Sequence, residues 1–220
     1  MKLVMFDIDG TLTESYAYDE ELFQKAVQSV LKIDNFSTDW RDYKYVTDSG
    51  ILNEIVKTDK KRDMTKGEEE GVKNAFVSYI ENLYNHDKSN FKEINGANSL
   101  INHLIEKDDV AVAIATGGWQ ESALFKLEKS GFDLKEIPFA SSNDSYDRVK
   151  IMKLAEEKAK SYYKTNSFKD YYYIGDGEWD VKAAKDIGYK FIGVGEKLSK
   201  LNLDMHLMDF VSSDCMEFII

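Results

Sequence analysis

The feature that most constrains how this chain can fold is its opening. An apolar run, Lys2-Leu3-Val4-Met5-Phe6, stops at an acidic turn, Asp7-Ile8-Asp9-Gly10-Thr11. Four of these first five residues are apolar without helical spacing and a glycine-containing turn follows, which predicts a buried strand over residues 2 to 6. Asp7 and Asp9 then project from its carboxyl end, and in an open α/β sheet ligands bind outside the carboxyl ends of the strands. Two crowded carboxylates are costly unless a cation neutralises them. A divalent cation and an aspartyl nucleophile both call for carboxylate oxygens on a rigid loop. Taken alone, an Asp-x-Asp pair also occurs in solvated acidic turns, so the reading depends on three later segments.

In the first, six small or branched apolar residues, Val110 to Ala115, read as a central strand of a parallel sheet and run into Thr116-Gly117-Gly118-Trp119. A hydroxyl and glycine N–H groups at the start of a predicted helix, Gln120 to Lys129, make an oxyanion or phosphate seat, and equally a plain helix entry. In the second, Tyr171-Tyr172-Tyr173-Ile174 leads to Gly175-Asp176-Gly177-Glu178-Trp179-Asp180. With a helix over Glu178 to Ile187, Asp176 and Asp180 stand one turn apart and can face one cation; N-capping by Asp176 is compatible with that. In the third, Asp147-Arg148-Val149-Lys150 opens an amphipathic helix whose apolar positions are Ile151, Leu154, Ala155 and Ala159.

In chain order, with the basic helix start at Arg148 preceding Gly175-Asp176-Gly177, the four segments resemble the motifs of the haloacid dehalogenase superfamily, and they span the chain from Asp7 to Asp180. The resemblance is to phosphatase-type members with a helical cap inserted between the first and second motifs. It implies a Rossmann-like α/β fold, a parallel sheet with helices on both faces. It implies further that Asp7 is the nucleophile, Asp9 the general acid and base, and Thr116 with Gly117 a phosphoryl seat. Mg²⁺ would be held by Asp7, Asp176 and the backbone carbonyl of Asp9, with Asp180 among or directly behind these ligands. The family's basic residue falls on Arg148 or Lys150; Arg148 is preferred because the first helical turn lies beside the sheet mouth, and the family's usual Lys-Pro is absent here. An acid at Asp9 fits phosphate ester hydrolysis or phosphomutase chemistry rather than the dehalogenase branch. A silent binding protein of the same fold remains a third reading.

The residue types fit that chemistry independently. Phosphoryl transfer needs in-line positioning and neutralisation of the equatorial oxygens, and a carboxylate nucleophile gives an aspartyl phosphate. The second carboxylate must donate and then accept a proton, so its pKa should be raised toward working pH. A calcium loop starting at Asp7 would need glycine at Leu12 and glutamate at Tyr18. No G-x-x-x-x-G-K-[ST] or H-E-x-x-H motif is present.

Composition sets the partners. With 220 residues and a net charge of −11, the chain can bury a full core and lacks the basic face that nucleic acid or an anionic membrane needs. The expected partner is a small phosphorylated metabolite, and the expected assembly a monomer or homodimer. The single cysteine, Cys215, suits a reducing compartment and a packing role in a terminal helix, Asp214 to Ile219. No stretch is apolar for long enough to span a bilayer, so a cytoplasmic location is expected.

Residues 15–90 read differently from residues 1–14 and 91–220, which carry the core. Leu22, Phe23, Ala26, Val27, Val30 and Leu31 keep helical spacing, as do Val72, Phe76, Ile80 and Leu83, the latter behind a capping box at Thr65 and Glu68. A shorter helix is predicted over Gly50 to Lys57, with Asp48 or Ser49 as N-cap. An all-helical block between two β/α units is best explained as a lid over the sheet mouth. Hinges are expected near Glu14 to Tyr18 and Ser89 to Lys92. Trp40, Arg41, Tyr43, Lys44 and Thr47 are its candidate substrate contacts. Late strands are predicted at Ile137 to Ala140, Lys190 to Val194 and Met205 to Leu207.

Overall fold

A computed structural model describes residues 1–134 and 136–219. Its sheet has six parallel strands in the order β3-β2-β1-β4-β5-β6: β1 (Lys2–Phe6), β2 (Val110–Ala115), β3 (Phe139–Ala140), β4 (Tyr171–Gly175), β5 (Lys190–Val194) and β6 (Met205–Leu207). The central strands carry side chains to two buried faces with the period of two that a pleated strand imposes. From β1, Val4 and Phe6 join one apolar cluster and Leu3 and Met5 the other. In β2, Val110, Val112 and Ile114 fill the first face, while Ala111, Ala113 and Ala115 line the second.

On the first face lie α4 (Ala97–Ile105), α5 (Gln120–Lys129) and α8 (Asp214–Ile219), through residues such as Leu100, Leu104, Leu127 and the buried Cys215. The second takes α6 (Arg148–Tyr162) and α7 (Glu178–Ile187), where Ile151, Ala155, Ala159 and Ala184 pack on the sheet. The chain winds outward from β1 through β2 to β3 and then returns to β4 on the other side of β1. The carboxyl ends of β1, β2 and β4 therefore border the point where the winding reverses, the place where such sheets hold ligands.

Helices α1 (Tyr16–Leu31), α2 (Asp48–Lys60) and α3 (Lys66–His86) build a third cluster around Phe23, Val27, Leu52, Val56, Phe76 and Ile80. The two chain crossings to this block run side by side: Glu14 N–H donates to Lys92 O at 2.9 Å and Ile94 N–H to Leu12 O at 2.8 Å. The first rung joins the segments Glu14 to Tyr18 and Ser89 to Lys92, and the second lies on the core side of both. The capping box forms, with Glu68 N–H on Thr65 Oγ1 and Thr65 N–H on Glu68 Oε2. Two sequence expectations change. Helix α2 begins at Asp48 and is capped by Thr47, whose Oγ1 accepts from Gly50 N–H, rather than by Asp48 or Ser49. Helix α4 is additional, about two and a half turns with Ala97, Leu100, Ile101 and Leu104 buried, introduced by Gly96 in a left-handed conformation. No helix among the described residues is long and apolar enough to cross a membrane.

Candidate active site

Three of the sequence candidates meet at the mouth of the sheet. Asp7 follows β1, Asp176 follows β4, and Asp180 lies in the first turn of α7; all are buried, with one carboxylate oxygen from each lying within 4.8 Å of the others. Gly10 makes the approach possible. Its φ of +77° is a left-handed conformation, and a Cβ there would sit 2.3 Å from Asp176 Oδ2. Asp176 does not cap α7. That position is Gly177, whose N–H donates to Asp180 Oδ2 at 3.0 Å, so Asp180 steadies the helix start while Asp176 faces the cluster.

The carboxylates are crowded and poorly compensated. Burial first, and then the neighbouring Asp180 charge, push Asp7 up to about 7 against the pull of Arg148. Burial likewise pushes Asp176 up to about 6, although Lys197 Nζ sits 2.9 Å from its Oδ2 and lowers it. An all-oxygen, buried and electrostatically strained donor set is what a hard divalent cation such as Mg²⁺ neutralises.

Arg148 is the cation of this centre. Asp147 caps α6 by accepting from Val149 N–H at 3.0 Å, which turns the first residue of the helix inward. Arg148 Nη1 lies 2.9 Å from Asp180 Oδ1, 3.4 Å from Asp7 Oδ1 and 3.3 Å from the Tyr173 hydroxyl. Its Nη2 donates to Val46 O at 2.9 Å. A Cβ at position 117 would meet that nitrogen at 2.2 Å, so Gly117 is required for Arg148 to pass. Lys150, the other sequence candidate, is exposed and does not line the cavity. Thr116 is buried at the end of β2, and its Oγ1 accepts from Gly118 N–H at 3.1 Å.

Asp9 behaves differently from expectation. Its carboxylate is outside the cluster formed by Asp7, Asp176 and Asp180, and is held instead by Lys126 Nζ at 2.5 Å and by the Ser15 hydroxyl. Burial alone would raise its pKa, but the Lys126 charge and these hydrogen bonds hold it below the ordinary carboxylate range. Lys126, on α5, is itself almost fully buried and reaches Asp19 of α1 at 2.7 Å on its other side. Asp19 is pushed well above the usual range, by burial and then by the Asp9 charge. Sequence reasoning missed Lys126 and Asp19, since each reads locally as an ordinary charge in an amphipathic helix.

The helical block is fastened to the core beside this site. Asp48 N–H donates to Gly117 O at 2.8 Å, Thr47 Oγ1 to Tyr146 O at 2.8 Å, and Ser49 N–H to Ser142 Oγ at 2.9 Å. In return Trp119 N–H donates to Asp48 Oδ2 at 2.8 Å and its indole N–H to Ser49 Oγ at 2.7 Å. A cavity of about 110 Å³ remains between block and core, walled by Asp7, Asp9, Thr116, Gly117, Arg148 and Asp176 below. An open cleft of about 540 Å³ adjoins it, sharing Trp40, Asp176 and Trp179 with the inner wall. Of the candidate contacts from the block, Trp40 and Thr47 line the cavity, Arg41 lines the outer cleft, and Tyr43 and Lys44 line neither.

Solved structures share this fold at low identity. A hydrolase from Pseudomonas syringae matches with 19% identity and a TM-score of 0.73, covering 98% of this chain and 97% of that one. CbbY from Rhodobacter sphaeroides in complex with phosphate matches with 18% identity and a TM-score of 0.68, covering 96% and 95%. A β-phosphoglucomutase from Clostridium difficile matches with 16% identity and a TM-score of 0.71, covering 98% and 95%. No curated protein gives a significant match. The family model for haloacid dehalogenase-like hydrolases matches residues 1–188, through all the loops that converge at the sheet mouth. The chain therefore belongs to the haloacid dehalogenase-like hydrolase family.

Proposed function

We propose that this hydrolase is a Mg²⁺-dependent phosphatase that cleaves a small phosphorylated metabolite through an aspartyl phosphate. Residues 1–14 and 91–220 would form its catalytic core and residues 15–90 a helical cap. The observation that carries the reading is the buried trio Asp7, Asp176 and Asp180, with oxygens within 4.8 Å of one another and Arg148 against two of them. Mg²⁺ held by Asp7, Asp176 and the Asp9 carbonyl, with Asp180 beside them, would neutralise charge on the phosphoryl oxygens.

The chain's own residues would do the rest. An Asp7 carboxylate oxygen attacks phosphorus in line with the P–O bond that breaks, and the departing alkoxide takes a proton from Asp9. Asp9, now ionised, removes a proton from water as that oxygen attacks the phosphorus on Asp7. Inorganic phosphate leaves and both carboxyl groups return to their starting forms. Lys126 favours the ionised half of this cycle, and Arg148, the Thr116 hydroxyl and the Gly117 N–H hold the transferring oxygens. The helical block excludes water while the intermediate stands.

Charge and composition support a cytoplasmic enzyme without a nucleic-acid partner: the net charge is −11 and the one cysteine is buried and unpaired. The test is release of inorganic phosphate from p-nitrophenyl phosphate over a Mg²⁺ titration. Activity that rises with Mg²⁺, vanishes with chelator and is lost in Asp7→Asn supports the reading; metal-independent or Asp7-independent release overturns it.

A further inference from the structure

The wall that faces away from the phosphoryl seat has an unusual chemistry for a phosphate-ester site. The helical block contributes three carboxylates to the cavity, Asp19, Glu20 and Asp48, and among the described lining residues it contributes no lysine, arginine or histidine. Among the described lining residues the cations are Lys126 and Arg148, both from the core and already committed, Lys126 to Asp9 and Asp19 and Arg148 to Asp7 and Asp180. Within this inner cavity a second anionic group on the substrate would meet carboxyl groups and no uncommitted cation among the described lining residues.

The rest of that wall is aromatic. Phe23 stands at the centre of a ring cluster, 5.8 Å from Trp40 and 6.1 Å from Phe76 in edge-on arrangements, and all three line the cavity. Aromatic faces combined with carboxylates are the composition that binds organic ammonium groups, because the ring quadrupole and the charges both attract a cation that is weakly hydrated. Asp19 Oδ1 is buried without a fixed hydrogen-bond partner among the described residues, while its Oδ2 is held by Lys126. The cavity, at about 110 Å³, limits the group to a few heavy atoms.

We propose that the substrate is the phosphate monoester of a short amino alcohol. Its protonated or quaternary nitrogen lodges among Phe23, Trp40 and Phe76 and the carboxylates of Asp19, Glu20 and Asp48. This rests on the phosphatase reading above and names the substrate class for the same site. It also separates the chain from phosphomutase chemistry, which must hold a second phosphate against this wall.

The test compares kcat/KM at fixed Mg²⁺ and pH for phosphoethanolamine against propyl phosphate, and for phosphocholine against 3,3-dimethylbutyl phosphate. Each neutral ester has nearly the shape of its charged partner. 2-Phosphoglycolate serves as the anionic counterpart and p-nitrophenyl phosphate as a general phosphatase substrate. At least one cationic ester is expected to exceed its neutral isostere about tenfold, with 2-phosphoglycolate the poorest. Glu20→Gln, at a half-exposed position that should not disturb folding, is expected to cut the cationic-to-neutral ratio about threefold or more, and Trp40→Leu to do the same. Turnover of p-nitrophenyl phosphate with no cationic preference, or with 2-phosphoglycolate preferred, overturns the amine assignment and leaves the phosphatase standing. No phosphate release from any ester overturns the phosphatase reading itself.

Discussion

Lys126 Nζ lies 2.5 Å from Asp9 Oδ1, so the carboxylate placed to handle protons is tied to a buried cation that also reaches Asp19 across the boundary to the helical block. Lys126 thereby links the proton-handling group to the position of α1. Lys126→Met should remove the influence that holds Asp9 low, so the alkaline limb of the kcat/KM profile, where Asp9 loses the proton it must donate, should move to higher pH. Stability should fall by about 3–5 kcal/mol, because two buried carboxylates lose their shared partner. Adding Asp19→Asn should recover part of that loss. Profiles of pH against rate, with denaturant melts, check both; an unmoved alkaline limb would exclude Lys126 as the group that sets Asp9.

Metal-free stability should depend on pH with a definite sign. Burial pushes Asp7 and Asp48 up to about 7 and Asp176 up to about 6, all above the ordinary carboxylate range. The folded state therefore holds protons that the unfolded chain has released, and the stability this supplies is full below about pH 4 and lost as pH rises through 6 to 7. In chelator, Tm should drop by several degrees between pH 5 and pH 8. Added Mg²⁺ should restore Tm at pH 8 far more than at pH 5. Scanning calorimetry measures both; a Tm that rises with pH in chelator would contradict the crowded-carboxylate account.

The two basic candidates at the start of α6 separate cleanly. Arg148→Met should lower kcat/KM by about 10²–10³, since one donor to a developing phosphoryl charge is removed. Lys150→Met, at an exposed position away from the cavity, should stay within about twofold of the wild type. Steady-state kinetics on p-nitrophenyl phosphate decides between them, and equal losses would mean that the burial of Arg148 is not tied to catalysis.

Backbone space is tested by glycine substitutions. In Gly117→Ala the new Cβ would stand 2.2 Å from Arg148 Nη2, and in Gly10→Ala 2.3 Å from Asp176 Oδ2 at a φ that disfavours any side chain. Gly117→Ala should lower kcat about 10²-fold through displacement of Arg148. Gly10→Ala should raise the Mg²⁺ concentration needed for half-maximal activity about tenfold or more. Mg²⁺ titrations of the two variants would show the effects in different parameters.

The elements that carry the site were legible because their signals are local. Unbroken apolar runs in β1 and β2, the aromatic run of β4, and glycines beside aspartates placed Asp7, Thr116 and Asp176 correctly at strand ends, and α5 and α7 have the predicted limits. The cap of α2 was not legible, since Thr47, Asp48 and Ser49 are all competent caps. Tertiary contacts choose among them: Asp48 and Ser49 are taken by Trp119 and Ser142 of the core. Lys126 was illegible for a similar reason. A lysine late in a short amphipathic helix reads as solvated, and only the docking of α1 brings Asp19 to its other side. The expected upward shift of Asp9 failed on the same contact.

The central claim, that residues 7, 176 and 180 hold one divalent ion, is tested most directly by an anomalous-scattering map from crystals grown with Mn²⁺. The account predicts a single strong peak within about 2.3 Å of oxygens from Asp7 and Asp176, with Lys197 drawn away from Asp176. A map with no peak between these carboxylates, or with the ion bound only elsewhere while Lys197 still contacts Asp176, would contradict it.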